Sequence, residues 1–386
     1  LLPQTILSGI KVLDLSRLLP APLATLFMAD LGAEVIKIED PTSPDPIRFY
    51  PPMIAEQSVY YLALNRSKRS LTLPLRTELG KKAFLDLVAT ADVVVESYRA
   101  GVLQKMGIDY QTAQKINPRI IYVSVTGYGQ NSAYSHLAGH DLNYTALAGV
   151  IGLNKTPQQQ PFIPGVQIAD IAGGSYQALN ACILALFARE RTGLGSHVDV
   201  AMVDGTLPLL SIPLAVAQIS TLQDALQQAA ILTGTLPNYN IYKCSDDKYL
   251  ALGALEPKFW QNFCIAINQP NWIERLFIDN QALHNDLTAL FASQPSTHWL
   301  QLTATADCCL TAVNQLNDLM SDPYLQSRNL FVTHQYNQQS VTGIKYPIKN
   351  SHFDTANSQP APYLGQDTTT ILQNLGYTPQ QIKALE

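Results

Sequence analysis

The segment A-G-H-D-L-N-Y-T-A-L-A-G-V, residues 138–150, sets an imidazole and a carboxylate side by side, His140 and Asp141, in a 386-residue chain of which only 14% is charged. Further on, Asp170 heads the run I-A-G-G-S-Y-Q-A-L-N-A-C-I-L-A-L-F, and Glu256 stands directly before Pro257. Imidazole and carboxyl groups are the side chains that most readily exchange protons near neutral pH, and a carboxylate can also serve as a nucleophile. Each residue also has a plainer reading. Asp141 can cap a helix carrying Leu142–Val150, with Asn143 and Tyr144 in its first turn. Asp170 can be an ordinary helix N-cap, and Glu256 before Pro257 reads equally well as helix entry.

Other chemistries find less support. The five cysteines (Cys182, Cys244, Cys264, Cys308 and Cys309) form an odd set without C-x-x-C spacing, against both a disulfide framework and a zinc site. G-Y-G-Q-N-S at 127–132 lacks the third glycine of a dinucleotide fingerprint, and no phosphate-loop motif occurs. A net charge of −5 disfavours nucleic acid as a partner. Apolar stretches such as Ala178–Phe187 stop short of the ~20 residues a membrane span needs. The opening L-L-P-Q-T-I-L-S has neither a basic nor a long apolar region, so the expectation is a cytoplasmic protein. Asn65–Arg76 gathers Arg66, Lys68, Arg69 and Arg76 without an intervening acid, either a small-anion patch or a strand edge guarded by charge.

The elements that must carry these residues alternate between two periods. Strand patterns at 11–15, 34–39, 70–75, 92–97, 119–126 and 197–202 are interleaved with helical patterns at 22–32 and 81–90 and with shorter helices. Nearly continuous apolar strands in βα units predict a parallel, doubly wound, Rossmann-like sheet covered on both faces. The helix after Asp170 should stop at Gly193. Beyond about residue 212 the composition shifts, a hairpin at 241–253 turns at Ser245-Asp246-Asp247, and helices follow at 257–268, 282–293 and 297–305. The expected division is a large domain of residues 1–212 and 345–386, a small α+β domain of 232–330, and linkers at 213–231 and 331–344. The tail, 365–386, should return to pack on the large domain as amphipathic helix.

Along these elements run L-P-A-P-L-A-T-L-F-M-A-D-L-G-A-E-V-I-K-I-E, K-R-S-L-T-L, A-D-V-V-V-E-S-Y-R-A-G-V, V-T-G-Y-G-Q, A-G-H-D-L-N-Y, A-D-I-A-G-G-S, G-L-G-S-H-V-D-V-A-M-V-D-G, G-A-L-E-P-K-F-W and A-D-C-C-L-T-A-V. In these phrases and their order the chain resembles the α-methylacyl-CoA racemase branch of the family III CoA-transferases, the CaiB/BaiF superfamily. The resemblance implies an interlocked, ring-like homodimer with its active site between subunits. It also implies an acyl-CoA substrate, no metal, and no cofactor apart from the CoA of the thioester itself. Transferases of the family use an aspartate at the place of Asp170 as nucleophile. Racemases pair it with a histidine where His140 stands and a glutamate at the place of Glu256. All three residues are present, which favours racemisation of 2-methylacyl-CoA esters through an enolate, with CoA transfer between carboxylic acids as the alternative.

For CoA the resemblance carries over Leu73, Leu75, Arg76, Arg99, Lys105, Gly139, Asp141, Leu142, Asn143 and Tyr144. Two positions depart from the family pattern. Asp40 replaces a usual arginine, so the phosphate contact expected there is either lost or supplied from elsewhere, with Arg48 as the candidate, and Pro74 replaces an aspartate. Backbone N–H groups near Gly173-Gly174 or Asn143 are the expected hydrogen-bond donors to the enolate oxygen.

Overall fold

The computed structural model describes residues 5–156, 158–219 and 232–385. These residues divide into two compact units, Leu1–Leu210 with Asn329–Glu386, and Ser211–Arg328.

The first unit is built on strands β1 (Lys11–Leu15), β2 (Glu34–Glu39), β5 (Arg69–Thr72), β6 (Val93–Glu96), β7 (Ile121–Thr126) and β8 (His197–Ala201); β3 (Met53–Ile54) and β4 (Gln57–Ser58) form a separate small hairpin. The six-stranded sheet has the order β5-β2-β1-β6-β7-β8, and every pairing is parallel. Its helices are α1 (Pro20–Asp30), α2 (Val59–Asn65), α3 (Glu78–Val88), α4 (Val102–Met106), α5 (Tyr110–Ile116), α6 (Asp141–Leu147), α7 (Val150–Leu153), α8 (Tyr176–Thr192) and α9 (Met202–Thr206).

Alternate strand residues feed two separate cores. Val12, Val93, Val95, Ile121, Val123 and Val125 pack with α1 and α8 on one face. Leu13, Leu15, Val94 and Tyr122 pack with α3 on the other. Burial on both faces is why these segments read as largely apolar runs rich in β-branched residues, and polar residues within them, such as Asp14 and Lys37, are buried with charged partners. The tail closes the second face as two short helices, Thr368–Asn374 and Pro379–Lys383, burying Ile371, Leu372 and Ile382.

The order reverses between β1 and β6, opening a crevice at their carboxyl ends, the place where such sheets bind ligands. Here the chain turns at Ser16-Arg17-Leu18, with Leu18 at φ 64. Such a backbone is rare for a branched side chain and persists only when its surroundings hold it. A buried ionic network does so. Asp45 accepts the Leu18 N–H at 3.1 Å and the Lys37 ammonium at 3.0 Å, while Lys37 also donates to the Ser16 carbonyl at 2.9 Å. Asp14 accepts the Ser16 N–H at 2.9 Å and pairs with Lys68 at 3.0 Å.

Several expectations are corrected. The segment 331–344 is not a linker but an antiparallel hairpin of the first unit, β12 (Phe331–Tyr336) and β13 (Gln339–Ile344); Asn337 takes the left-handed backbone its turn requires, and Tyr336 is buried. Residues 213–219 of the other expected linker are helical, within a helix Ser211–Ile219, and 220–231 lie outside the described residues. The basic patch at 65–76 does not form, because acids from elsewhere meet it: Arg66 pairs with Asp30, Lys68 with Asp14, and Arg69 with Glu34 and Asp367. Ala169–Thr192 runs as 24 helical residues, long and apolar enough by length and composition to cross a membrane. Its Ala178, Leu179, Cys182, Ala185 and Leu186 pack in the first core, and Gly193 ends it in the left-handed conformation.

The second unit holds the antiparallel sheet β11 (Leu310–Ala312), β10 (Tyr249–Gly253), β9 (Tyr239–Lys243). Trp260, Phe263, Phe291 and Trp299 fill its core, supplied by the helices Pro257–Ala266, Asn280–Ala292 and Ser296–Leu302.

Candidate active site

At the β1/β6 crevice lies a cavity of about 290 Å³ whose walls include Arg17, Leu18, Tyr98, Arg99, Gly139, His140, Tyr144, Asp170 and Met202. Strand ends supply the first four. His140 arrives as the N-cap of α6, where its N–H donates to Asn143 Oδ1 at 3.1 Å and its carbonyl receives the Asn143 N–H at 2.8 Å. Tyr144, one turn on, is buried and donates its hydroxyl to the Gly139 carbonyl at 2.6 Å. Its ring lies so close to Gly127 and Gly139 that a Cβ at either would stand 2.3 or 2.6 Å from it. Glycine at both positions lets the backbone close on the ring and bring His140 to the cavity.

Asp170 does not cap a helix. It is the second residue of a π-helical turn, Ala169–Ser175, that leads into α8. Gly173 and Gly174 of this turn are buried; a Cβ on Gly173 would stand 2.3 Å from the Met202 carbonyl, so these glycines serve close packing against α9 rather than an open donor site. The Asn143 N–H is likewise already taken by His140. One carboxylate oxygen of Asp141 accepts the Asp170 N–H at 2.9 Å. Burial raises the Asp170 carboxyl, the nearby Asp141 charge adds to it, and together they bring it to about 7. Burial also pushes the Tyr144 hydroxyl to about 12, which keeps it a neutral donor.

The structure thus gathers His140, Asp170, Tyr144, Gly139 and Arg99 around one cavity, with Asp141 bonded to the backbone beneath Asp170. Leu142 and Asn143 are exposed on the first turn of α6, and Arg76 and Lys105 are exposed cations, Lys105 on α4. Leu73 and Leu75 are buried in the second core, so only their backbone could meet a ligand. Arg48 is not free for a phosphate: it is buried, bonded to both Glu39 oxygens at 2.8 and 2.6 Å and to the Tyr61 hydroxyl at 2.6 Å. Glu256 belongs to the second unit, as the exposed N-cap residue of Pro257–Ala266.

Sequence reasoning passed over Arg17, Leu18 and Tyr98, which follow the ends of β1 and β6; the strand order, once assigned, is the signal that finds them. It also missed Glu96. This buried carboxyl, raised to about 7 chiefly by burial, accepts the Tyr98 N–H at 2.7 Å and so shapes the loop that carries Arg99.

This cavity lies at the switch point of a Rossmann-type sheet, with His140 and Asp170 on its walls beside the cations Arg17 and Arg99. The chain belongs to CoA-transferase family III, whose model matches residues 7–368. It is 30% identical over 382 residues to human alpha-methylacyl-CoA racemase, covering 98% of this chain and 96% of that protein. It is 32% identical over 381 residues to mouse succinyl-CoA:glutarate CoA-transferase, covering 96% and 86%. A CAIB/BAIF family protein from Brucella suis has the same fold, with a TM-score of 0.81 at 29% identity over 96% of this chain and all of that one.

Proposed function

We propose that this enzyme interconverts the R and S forms of 2-methylacyl-CoA thioesters by moving one proton off and one proton onto the α-carbon. The observation that carries the reading is Asp170, a carboxyl raised to about 7 on the wall of the cavity that His140 also lines. Removing the α-proton leaves an enolate with its charge on the thioester oxygen. Inversion then needs a base on one face and an acid on the other. Neutral His140 with protonated Asp170 serves one direction, and the pair after transfer, imidazolium and carboxylate, serves the reverse. A carboxyl near 7 holds its proton for part of the time at neutral pH, whereas one at 3.8 would be almost wholly ionised. Arg76, Arg99 and Lys105 are the cations assigned to CoA, with Gly139 and the first turn of α6 beside its thioester end. Glu256 is assigned as a further acid–base group on the resemblance alone, and its replacement by Gln should lower the rate.

The second reading is CoA transfer, with the Asp170 carboxylate attacking the thioester; the 32% identity to a succinyl-CoA:glutarate CoA-transferase favours it. One experiment separates the two. A single epimer of a 2-methylacyl-CoA in D₂O, with no acceptor acid, should gain deuterium at the α-carbon and lose optical purity. Turnover that depends strictly on a second carboxylic acid, with a hydroxylamine-sensitive adduct on Asp170, would establish transfer instead.

The homodimer belongs to the same proposal. Ile163, Val166, Leu184 and Phe187 are each more than 60% exposed, large apolar side chains that a second copy would cover. Light scattering at micromolar concentration should give twice the chain mass, and an active monomer would overturn it.

A further inference from the structure

Asp141 is the first residue of α6, yet its side chain reaches away from that helix to the π-helical turn, where it accepts the Asp170 N–H at 2.9 Å. We propose that Asp141 is the positioning residue of this site, one carboxylate oxygen anchoring the Asp170 backbone while its negative charge lies against the Asp170 side chain. The inference rests on the reading of Asp170 as an acid–base group.

The anchor matters because it joins the two short elements that carry the pair. His140 precedes Asp141 directly, so a single residue ties the backbone of one member of the pair to that of the other. The residue is itself held: Thr145 donates its hydroxyl to the Asp141 carbonyl at 2.7 Å. The charge matters because a second anion opposes ionisation of Asp170, adding to the larger effect of burial.

The remaining groups around Asp170 are few. His140, Tyr144, Arg17, Tyr98, Arg99 and Tyr128 line the cavity. Of the elements packed on the turn, α1 brings Asp30, committed to Arg66. Helix α8 begins with Tyr176 and carries Cys182, Arg189, Glu190 and Arg191 along its length; α9 brings Asp204, and β8 brings His197 and Asp199. Asp199 accepts the Gln130 N–H at 2.7 Å. Asp141 is the acid bonded to Asp170's own backbone.

Asp141→Asn keeps an acceptor oxygen and removes the charge; Asp141→Ala removes both. The carboxyl carbon of Asp170 can be followed by NMR in aspartate-labelled protein, its signal assigned by its loss in Asp170→Asn. In wild type it should titrate near 7. In Asp141→Asn the midpoint should fall by about one pH unit, and the alkaline limb of deuterium wash-in should move down with it. Asp141→Ala should shift likewise and lose a further factor of about ten in rate through misplacement of Asp170. An unmoved midpoint in Asp141→Asn overturns the inference. Absence of wash-in by wild type, with the midpoint still moving in the variant, would overturn the racemase reading and leave this one standing.

Discussion

Two clusters of ionisable groups flank the same turn after β1, and they treat carboxylates in opposite ways. On one side Asp14 is fully buried, yet Lys68, Lys37 and hydrogen bonds from Ser16 and Thr25 together outweigh the burial and hold it down to about 2. On the other, Asp170 is only partly buried, has an anion instead of a cation as its near neighbour, and rises to about 7. The deeper group is the more strongly ionised one. Burial alone therefore does not decide which acid stays protonated; the charges and hydrogen bonds around it decide whether burial prevails. The Asp14 cluster uses charge to fix a backbone, whereas around Asp170 burial and a nearby anion hold a carboxyl up to about 7.

The comparison is broken most severely by removing His140 or Asp170. His140→Ala and Asp170→Asn should each lower racemisation by ~10²–10⁴, the loss typical of a positioned acid–base group, while affinity for the CoA ester changes little. Each variant should retain some deuterium wash-in from one epimer only, since one base remains without an acid opposite it. Racemisation by His140→Ala at near the wild-type rate would reduce His140 to a helix start.

The Asp14 cluster should respond in stability. Lys68→Met leaves Asp14 buried without its nearest cation, and breaking such a pair costs about 3–5 kcal/mol. Because Asp14 is depressed from 3.8 to about 2, its contribution in wild type is present above pH 3.8 and is lost as pH falls through about 2. Denaturant unfolding at pH 7 should thus separate the variant widely from wild type. Unchanged stability would mean that the network is not what holds the 16–18 turn.

The Asp14 cluster was the less legible of the two. Asp14, Lys37, Asp45 and Lys68 are scattered over four segments: the parallel pairing of β1, β2 and β5 brings together Asp14, Lys37 and Lys68, which directly precedes β5, and the turn at Pro46–Phe49 brings in Asp45. The four cations at 65–76 looked like a patch because the acids that meet three of them lie on α1, β1, β2 and the tail. The parallel strands of the first unit were readable, since a doubly wound sheet writes its burial into largely apolar runs, whereas its two hairpins, β3–β4 and β12–β13, were not. His140 and Asp141 were visible as a local pair, and their approach to Asp170 followed from the resemblance. The bond from Asp141 to the Asp170 backbone had no trace in sequence, because it depends on a π-helical winding that no residue pattern specifies.

The smallest expected effect sharpens the contrast, because it predicts a gain where the Asp14 cluster predicts a loss. A carboxyl raised from 3.8 to about 7 binds its proton more tightly in the folded than in the unfolded chain. Its contribution to stability is therefore fully present below pH 3.8 and declines as pH rises through about 7. Asp170→Asn has no proton to lose. It should match wild type at low pH and exceed it at pH 8 by on the order of 2 kcal/mol, about half the value that the full displacement would give, because the group lines an open cavity. In thermal unfolding that is a rise of about 3 °C at pH 8, in the same variant that has lost its activity. A variant equal to or less stable than wild type at pH 8 would mean that the carboxyl ionises there without strain. The site would then hold an ordinary carboxylate, suited to attack on a thioester rather than to carrying a proton across it.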